Sequence, residues 1–207
     1  MTRCAPLTPD LDQTAIAACR QGDVYAFEIL VKKYQKQMFN IALRMIGSYD
    51  DAGEAVQDAF VSAYKNIDKF QGAAKFTTWL TAIVINMSKN RIKKLATGRH
   101  KNTVSLDECL QDAQGKTKHD PAAGGPSALQ QLERKQIQQQ VQWCIGRIED
   151  GFREVLVLKD IQGFSYDEIG QTLKIPQGTV KSKLHRARDF LKTCLKKAFG
   201  DLSHVVS

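Results

Sequence analysis

Apolar residues recur along this chain at helical spacing, and the strict alternation of a half-buried strand is nearly absent. Asp23 can cap a first long helix in which Phe27, Leu30, Val31, Tyr34, Met38, Ala42 and Met45 share one face. The stretch "GSYDD" breaks it. The next segment has the cleanest amphipathic pattern, with Ala52, Ala55, Val56, Ala59, Phe60, Ala63 and Tyr64 at i, i+3, i+4, i+7, i+8, i+11 and i+12. A loop, "NIDKFQGAAKFTT", separates it from "WLTAIVINMSKNRIKK", which is apolar at first and basic at its end.

Residues 95–128 sustain no period and end in Pro, Ala, Gly and Ser, the composition of a flexible linker. Helical spacing resumes in "LQQLERKQIQQQVQWCIGRI", and "FREVLVLKD" adds a short apolar helix. The pattern predicts an all-α chain of two small helical domains joined by a tether. The divisions fall at an N-terminal extension 1–20, a first domain 21–95, a linker 96–128, a second domain 129–197 and a tail 198–207.

The second domain carries the sharpest local signal. Ser165 and Glu168 form the S-x-x-E of a capping box, which starts a helix at Tyr166. Tyr166, Ile169 and Leu173 face inward, and Gly170 is small enough to let a second helix cross closely. Ile175 and Pro176 end the first helix, because proline lacks a donor and restricts the residue before it. Proline is also suited to begin the next helix. There Val180, Leu184, Ala187 and Leu191 form an apolar stripe, with Lys181, Ser182, His185, Arg186 and Asp189 opposite. Helix, short turn and basic-faced helix make a helix-turn-helix, whose second helix enters the major groove of DNA. Residues near its start reach base edges, while other basic groups hold phosphates.

Charge agrees with a polyanionic partner. The chain has 207 residues, a net charge of +8 and a pI near 9.3. The basic excess sits in 1–95 and 129–197, with a neutral stretch between them. The five cysteines, Cys4, Cys19, Cys109, Cys144 and Cys194, are odd in number and contain no C-x-x-C. That suggests neither a disulfide framework nor a zinc site, so reduced thiols are expected. The start "MTRCAPLTPDLDQ" lacks the pattern of a signal peptide, and no apolar run reaches the roughly 18 residues of a membrane span. A cytoplasmic protein is expected. No P-loop, metal cluster or nucleophile–base pair stands out, so no cofactor, metal or catalytic residue is predicted.

In the first domain, Asp51, Glu54, Gln57 and Asp58 form the polar face of the amphipathic helix. Phe70, Phe76 and Trp79 flank a Gly/Ala loop, with Lys75, Lys89, Arg91, Lys93 and Lys94 nearby. Rings beside positive charge suit single-stranded nucleic acid, with stacking worth roughly 1–3 kcal/mol per base. The same rings equally suit a core.

Taken in order, "SYDDAGEAVQDAFVSAY", "KFQGAAKFTTWLTAIVINMSKNRIKK" and "REVLVLKDIQGFSYDEIGQTLKIPQGTVKSKLHRARDFLK" resemble the extracytoplasmic-function (ECF) class of bacterial RNA polymerase sigma factors, in the sigma-70 family. The resemblance covers about 20–95 and 129–197. It implies that region 2, the first domain, binds the β′ clamp helices of the RNA polymerase core and opens the promoter −10 element. Region 4, the second, would bind the −35 duplex and the β flap. Asp51, Glu54, Gln57 and Asp58 match the polymerase-binding helix, although the family usually has an acidic residue where Gly53 stands. Phe70, Lys75, Phe76, Thr78, Trp79 and Asn86 match the −10 segment and its loop. Thr179, Lys181, Ser182, His185 and Arg186 match the −35 reading positions, and Gly170 replaces a common alanine. An anti-sigma factor is an implied partner, and a small-molecule substrate is not.

The resemblance implies capture of an extruded base near residues 70–79, against a cost of a few kcal/mol. Promoter elements about 25 bp apart lie roughly 85 Å apart. A 33-residue flexible tether averages about 30 Å and extends to roughly 110 Å. The span is therefore entropically unfavourable without polymerase as scaffold, and compact packing of the two domains against each other, or against an inhibitor, is the expected resting state. A helix-turn-helix regulator acting alone would leave 51–94 unexplained. A recombinase would need a catalytic serine and clustered arginines in the first 95 residues, which read as helices with only Arg3, Arg20, Arg44 and Arg91.

Overall fold

The computed structural model describes residues 11–99 and 128–200, all of them helices and short connections. Four helices form an N-terminal bundle: α1 (Leu11–Arg20), α2 (Val24–Ile46), α3 (Tyr49–Lys65) and α4 (Phe76–Arg99). Four more form a C-terminal bundle: α5 (Ala128–Gly146), α6 (Asp150–Leu156), α7 (Tyr166–Leu173) and α8 (Gln177–Phe199). Among the described residues none is in a strand.

The boundaries follow local chemistry. Asp23 accepts from the backbone N–H groups of Tyr25 and Ala26 and so caps α2. Gly47 ends α2 at φ 88°, a left-handed conformation that costs glycine no Cβ clash. Ser48 then caps α3 through the N–H of Asp51. The stripe expected on α3 is its buried face: Ala52, Ala55, Val56, Ala59, Phe60 and Ala63. The small alanines let α3 lie close against α2 and α4, while Leu30, Met38, Ile41, Met45, Leu80 and Ile85 fill the bundle interior.

The expected extension 1–20 is corrected in part, because residues 11–20 belong to the first domain. Ala15, Ile16 and Cys19 are buried in its core. Asp12 binds Lys33 Nζ at 2.6 Å and accepts from the Tyr34 hydroxyl, which ties α1 to α2. Arg20 donates to the carbonyl of Phe70, so α1 also holds the loop before α4. The signal in the sequence is weak, since "LDQTAIAACR" buries only a narrow stripe of small residues.

Two further expectations change. The helix expected over "FREVLVLKD" is α6 followed by a π-helical turn, Val157–Ile161, that ends at Gly163 with φ 74°. The wider turn lets four consecutive residues, Val155 to Leu158, all be buried. The cysteines are not all reduced thiols: Cys144 on α5 and Cys194 on α8 are disulfide-bonded, with Cα atoms 5.9 Å apart. Spacing along the chain could not show this, because the partners are 50 residues apart and meet only when α5 and α8 pack. Cys19 is free and buried. Cys4 and Cys109 lie outside the described residues, as do 100–127 of the expected linker.

The two bundles pack against each other. The α5–α6 corner sits on the C-terminal end of α2, and α7 lies on α4. Arg153, 8% exposed, is the centre of the first contact. Its guanidinium donates to Ile148 O at 2.7 and 3.1 Å, Gly146 O at 2.7 Å and, across the boundary, Met45 O at 2.7 Å. The Met45 and Gly146 carbonyls close helices and the Ile148 carbonyl lies in the α5–α6 connection, so a planar donor fork satisfies several at once. Gln142 adds bonds to the Leu43 and Arg44 carbonyls and accepts from the Arg44 side chain at 2.9 Å.

Candidate nucleic-acid and polymerase interfaces

The reading helix is built from its cap upward. Ser165 accepts from the N–H of Glu168, whose carboxylate accepts in return from the N–H and hydroxyl of Ser165 at 2.9 Å each. Helix α7 ends at Lys174, which is left-handed at φ 56°. Pro176 is the N-cap of α8, one residue earlier than a first-turn proline. Val180, Leu184 and Ala187 of α8 are buried against Ile169 and the α6 residues.

Gly170 is needed for a different reason than expected. A Cβ there would stand 3.0 Å from the carbonyl oxygen of Ile175, so it is the turn that approaches closely rather than the crossing helix. The Ile175 N–H donates to Gly170 O at 3.0 Å, and this bond holds the turn shut.

Lys181, Ser182, His185 and Arg186 lie on the outer face of α8, where Lys181, His185 and Arg186 are exposed. Thr179 is partly exposed. Ser182 donates to Thr179 O, and His185 Nδ1 lies 2.9 Å from Asp189. Lys181 and Lys159 both stand over the Tyr166 ring, at 5.8 and 4.8 Å. Arg188 is committed elsewhere: it grips Asp160 with two bonds of 2.6 and 2.9 Å and braces α8 on the π turn. The basic run of α8 thus splits into an outward-facing set and an internal tie.

On α3, Glu54, Gln57 and Asp58 are exposed and Asp51 is half-buried. Arg91 of α4 contacts Asp51 and Glu54, each at 2.6 Å. Hydrogen bonding to Asp51, more than any other cause, holds its guanidinium pKa above the ordinary value. The sequence places Arg91 near the aromatic loop as a group for phosphate; in the structure it links α4 to α3. A Cβ on Gly53 would meet nothing within 4 Å, so that position opens to solvent on the same helix.

The −10 candidates divide. Phe70, Phe76 and Thr78 are buried, Trp79 is buried only in part, and Lys75 and Asn86 are exposed. The rings of Phe70, Phe76 and Trp79 form one cluster with centroids 5.4, 5.6 and 5.7 Å apart, extended by Tyr34 at 5.7 Å from Phe76. In this arrangement Phe70, Phe76 and Thr78 are turned into the core, the alternative that the sequence leaves open for the rings. Burial of large rings stabilises the bundle more than exposure would. Here they support Trp79 and the loop, which leaves Lys75, Trp79 and Asn86 as the accessible part of that set.

Carboxylates of the C-terminal bundle meet the lysines of that surface. Lys75 Nζ lies 2.8 Å from Glu168 Oε1, on the same carboxylate group that caps α7. Lys89 Nζ lies 2.8 Å from Glu154 Oε1. The Lys89 contact has ion-pair distance without hydrogen-bond alignment, so that buried oxygen has no hydrogen bond among the described residues. Of the five basic side chains expected beside the aromatics, Lys75, Lys89 and Arg91 therefore face carboxylates.

The Lys75 bond, then the Ser165 N–H and the Ser165 hydroxyl, hold the Glu168 carboxyl at about 2, against an ordinary 4.5. A depressed carboxyl pKa stabilises the fold fully above pH 4.5, and the contribution is lost as pH falls from there through 2. Carboxyl NMR of the wild type should show Glu168 titrating far below its ordinary value. In Lys75→Ala its midpoint should move upward, towards 4.5. An unshifted Glu168 midpoint in that variant would mean that the α4–α7 contact does not form in solution.

Among the described residues, no group of three or more His, Cys, Asp and Glu could hold a metal ion, and no helix is long and apolar enough to cross a membrane. The sequence pattern of Sigma-70 region 2 matches residues 30–113, and that of Sigma-70 region 4 matches 138–191. The chain is 34% identical over 182 residues to the ECF RNA polymerase sigma factor SigW of Bacillus subtilis, covering 87% of this chain and 95% of that one. It is 31% identical over 197 residues to the RNA polymerase sigma-H factor of Pseudomonas aeruginosa, covering 92% and 96%. In fold it is similar to CnrH in complex with the cytosolic domain of CnrY, at TM-score 0.64, 23% identity and coverage of 91% and 99%. It is similar also to the sigma factor RpoE of Bartonella quintana in complex with the anti-sigma factor NepR, at TM-score 0.61, 22% identity and coverage of 84% and 98%.

The chain belongs to the sigma-70 family, in its ECF class. It is an alternative sigma factor, a non-catalytic initiation factor that binds core RNA polymerase and promoter DNA. The N-terminal bundle is region 2 and the C-terminal bundle region 4.

Proposed function

We propose that region 4 reads the −35 duplex with Thr179, Lys181, Ser182, His185 and Arg186, while region 2 binds the β′ clamp helices through Gln57, Asp58 and the Arg91-braced pair Asp51 and Glu54. Trp79, Lys75 and Asn86 act at the −10 element, with Phe70, Phe76 and Thr78 holding the loop that presents them. An extruded base is then captured at the edge of an aromatic cluster rather than in an open pocket. The protein works in the cytoplasm, where RNA polymerase is.

The observation that carries this reading is the pairing of Lys75 and Lys89 with Glu168 and Glu154. Region 4 carboxylates stand where DNA phosphates would, on the surface that would otherwise meet the −10 strand. The closed arrangement is the resting form, and core polymerase draws the regions apart to the −10/−35 spacing. An anti-sigma factor acts in the same direction by covering the polymerase-binding faces; a relative of the same fold is found bound to one.

Run-off transcription with purified core polymerase tests the proposal: start sites should appear at promoters that core alone ignores. Absence of stable core binding would remove it. Gln57→Ala combined with Asp58→Ala should weaken core affinity by roughly 10-fold, since both side chains are exposed and neither supports the bundle. Binding of −35 DNA should not change. Unaltered core affinity in titrations of labelled protein would place the polymerase contact elsewhere.

A further inference from the structure

We infer that Cys144 and Cys194 form a reversible thiol–disulfide site that sets how firmly α5 is held against the distal half of the reading helix. Cys144 is wholly buried near the C-terminal end of α5, and Cys194 is half-buried on α8, beyond the outward-facing set Lys181 to Arg186. The bond therefore leaves that set untouched and acts on the α5–α8 junction.

The two sulfurs differ in access. Cys194 lines an open groove of about 350 Å³ together with Trp143, Arg147, Phe190 and Lys197, whereas Cys144 is closed off behind it. Arg147 lies over the Trp143 ring at 4.6 Å, and Lys197 also lines the groove. Positive charge beside a partly exposed sulfur favours the thiolate, the reactive form. Cys194 is thus placed to react first and Cys144 to resolve.

With a peroxide as oxidant, the Cys194 thiolate attacks one peroxide oxygen, gives a sulfenic acid and releases water after proton uptake. The Cys144 thiol then attacks that sulfur, the S–S bond forms, and a second water leaves. Two thiols and one hydrogen peroxide become one disulfide and two waters. A cellular dithiol reverses the change. Its thiolate attacks Cys194 and Cys144 leaves and takes a proton; the second thiol of the reductant then attacks the mixed disulfide, closes the reductant's own disulfide and releases Cys194 as a thiol.

The consequence lies at the same turn of α5. Gln142 binds the C-terminal carbonyls of α2, and Arg153 binds Gly146 O just after Cys144. The disulfide fixes to α8 the turn that also holds region 2. Outside it, most of α5 from residue 130 to 140 is exposed and has little core of its own. When the bond opens, α5 retains fewer constraints, and the wall carrying Trp143, 47% exposed, is free to move relative to Phe190.

The test uses the full chain and needs neither polymerase nor DNA, so its outcome is independent of the role proposed above. Reduced protein is treated with hydrogen peroxide, then with a thioredoxin-type dithiol, and is trapped with N-ethylmaleimide at each stage. Peptide mass spectrometry should find the 144–194 cross-link appear and disappear. Hydrogen exchange in 137–146 should be on the order of 10-fold faster in the reduced form. Cys194→Ser should exchange like the reduced protein whatever the treatment. If Cys144→Ala fails to fold, Cys194→Ser carries the comparison, because its position is only half-buried. A different pairing, a bond that the dithiol does not open, or equal exchange in both forms overturns the inference.

Discussion

Arg153→Ala is expected to lower the unfolding free energy by about 3–5 kcal/mol, a loss at the upper end for a single substitution. The guanidinium satisfies carbonyls of Gly146, Ile148 and Met45. Its removal leaves these carbonyl oxygens in a buried site without that donor, at roughly 1–3 kcal/mol for each one that water cannot reach. Burial lowers the pKa of this arginine from its ordinary value, and Asp150 and Glu154 oppose that shift. Arg153→Lys keeps a charge but loses the planar fork, so it should recover only part of the loss. Urea denaturation followed by circular dichroism measures both variants. Wild-type stability in Arg153→Ala would show that the α5–α6 corner does not depend on this residue. The bonds to Gly146 and Ile148 are internal to region 4, so most of the effect should persist when the two regions separate.

Arg186→Ala should reduce −35-dependent initiation roughly 10- to 100-fold, the cost of one lost base-edge contact. The side chain is exposed on the outer face of α8, one turn after Ser182, and does not brace the fold. Its near neighbour in sequence, Arg188, is the control: it holds Asp160, so its substitution should lower region 4 stability as well. Transcription from promoters with an intact or scrambled −35 element separates the two. Arg186→Ala should lose activity only on the intact element and keep its affinity for core polymerase. Equal loss on both promoters, or loss of core binding, would contradict the assignment.

The closed arrangement links these residues to one another. Its ion pairs are Lys75–Glu168 and Lys89–Glu154. Glu168 also caps α7, and Lys75 belongs to the set proposed for the −10 element. Lys75 is largely exposed, so its pair with Glu168 is worth little and salt weakens it, whereas Glu154 of the other pair is buried. These pairs join the Arg153 and Gln142 hydrogen bonds and the apolar packing of the α5–α6 corner on α2 in holding the two bundles together.

Much of this protein is legible in its sequence. The i, i+3, i+4 stripes of α2, α3 and α8 mark their inner faces, because a helix presents side chains at a period that sequence spacing reproduces. The capping box at Ser165 and Glu168 and the outward set Lys181 to Arg186 follow from local chemistry alone. The helical segment α1 does not show in the same way, because its stripe is narrow and its anchors, Lys33, Tyr34 and Phe70, lie far along the chain.

The roles of individual charges and rings are settled only by packing. Sequence places Phe70, Phe76 and Thr78 beside DNA as readily as in a core, since composition does not distinguish a stacked base from a stacked ring. Arg91, Arg153 and Arg188 look alike in one dimension, yet each is committed to partners brought near by helix packing. The Cys144–Cys194 bond is the plainest case. Spacing gives no sign of it, because bonding two residues 50 apart depends on where α5 and α8 cross, and that is decided by the bundle as a whole.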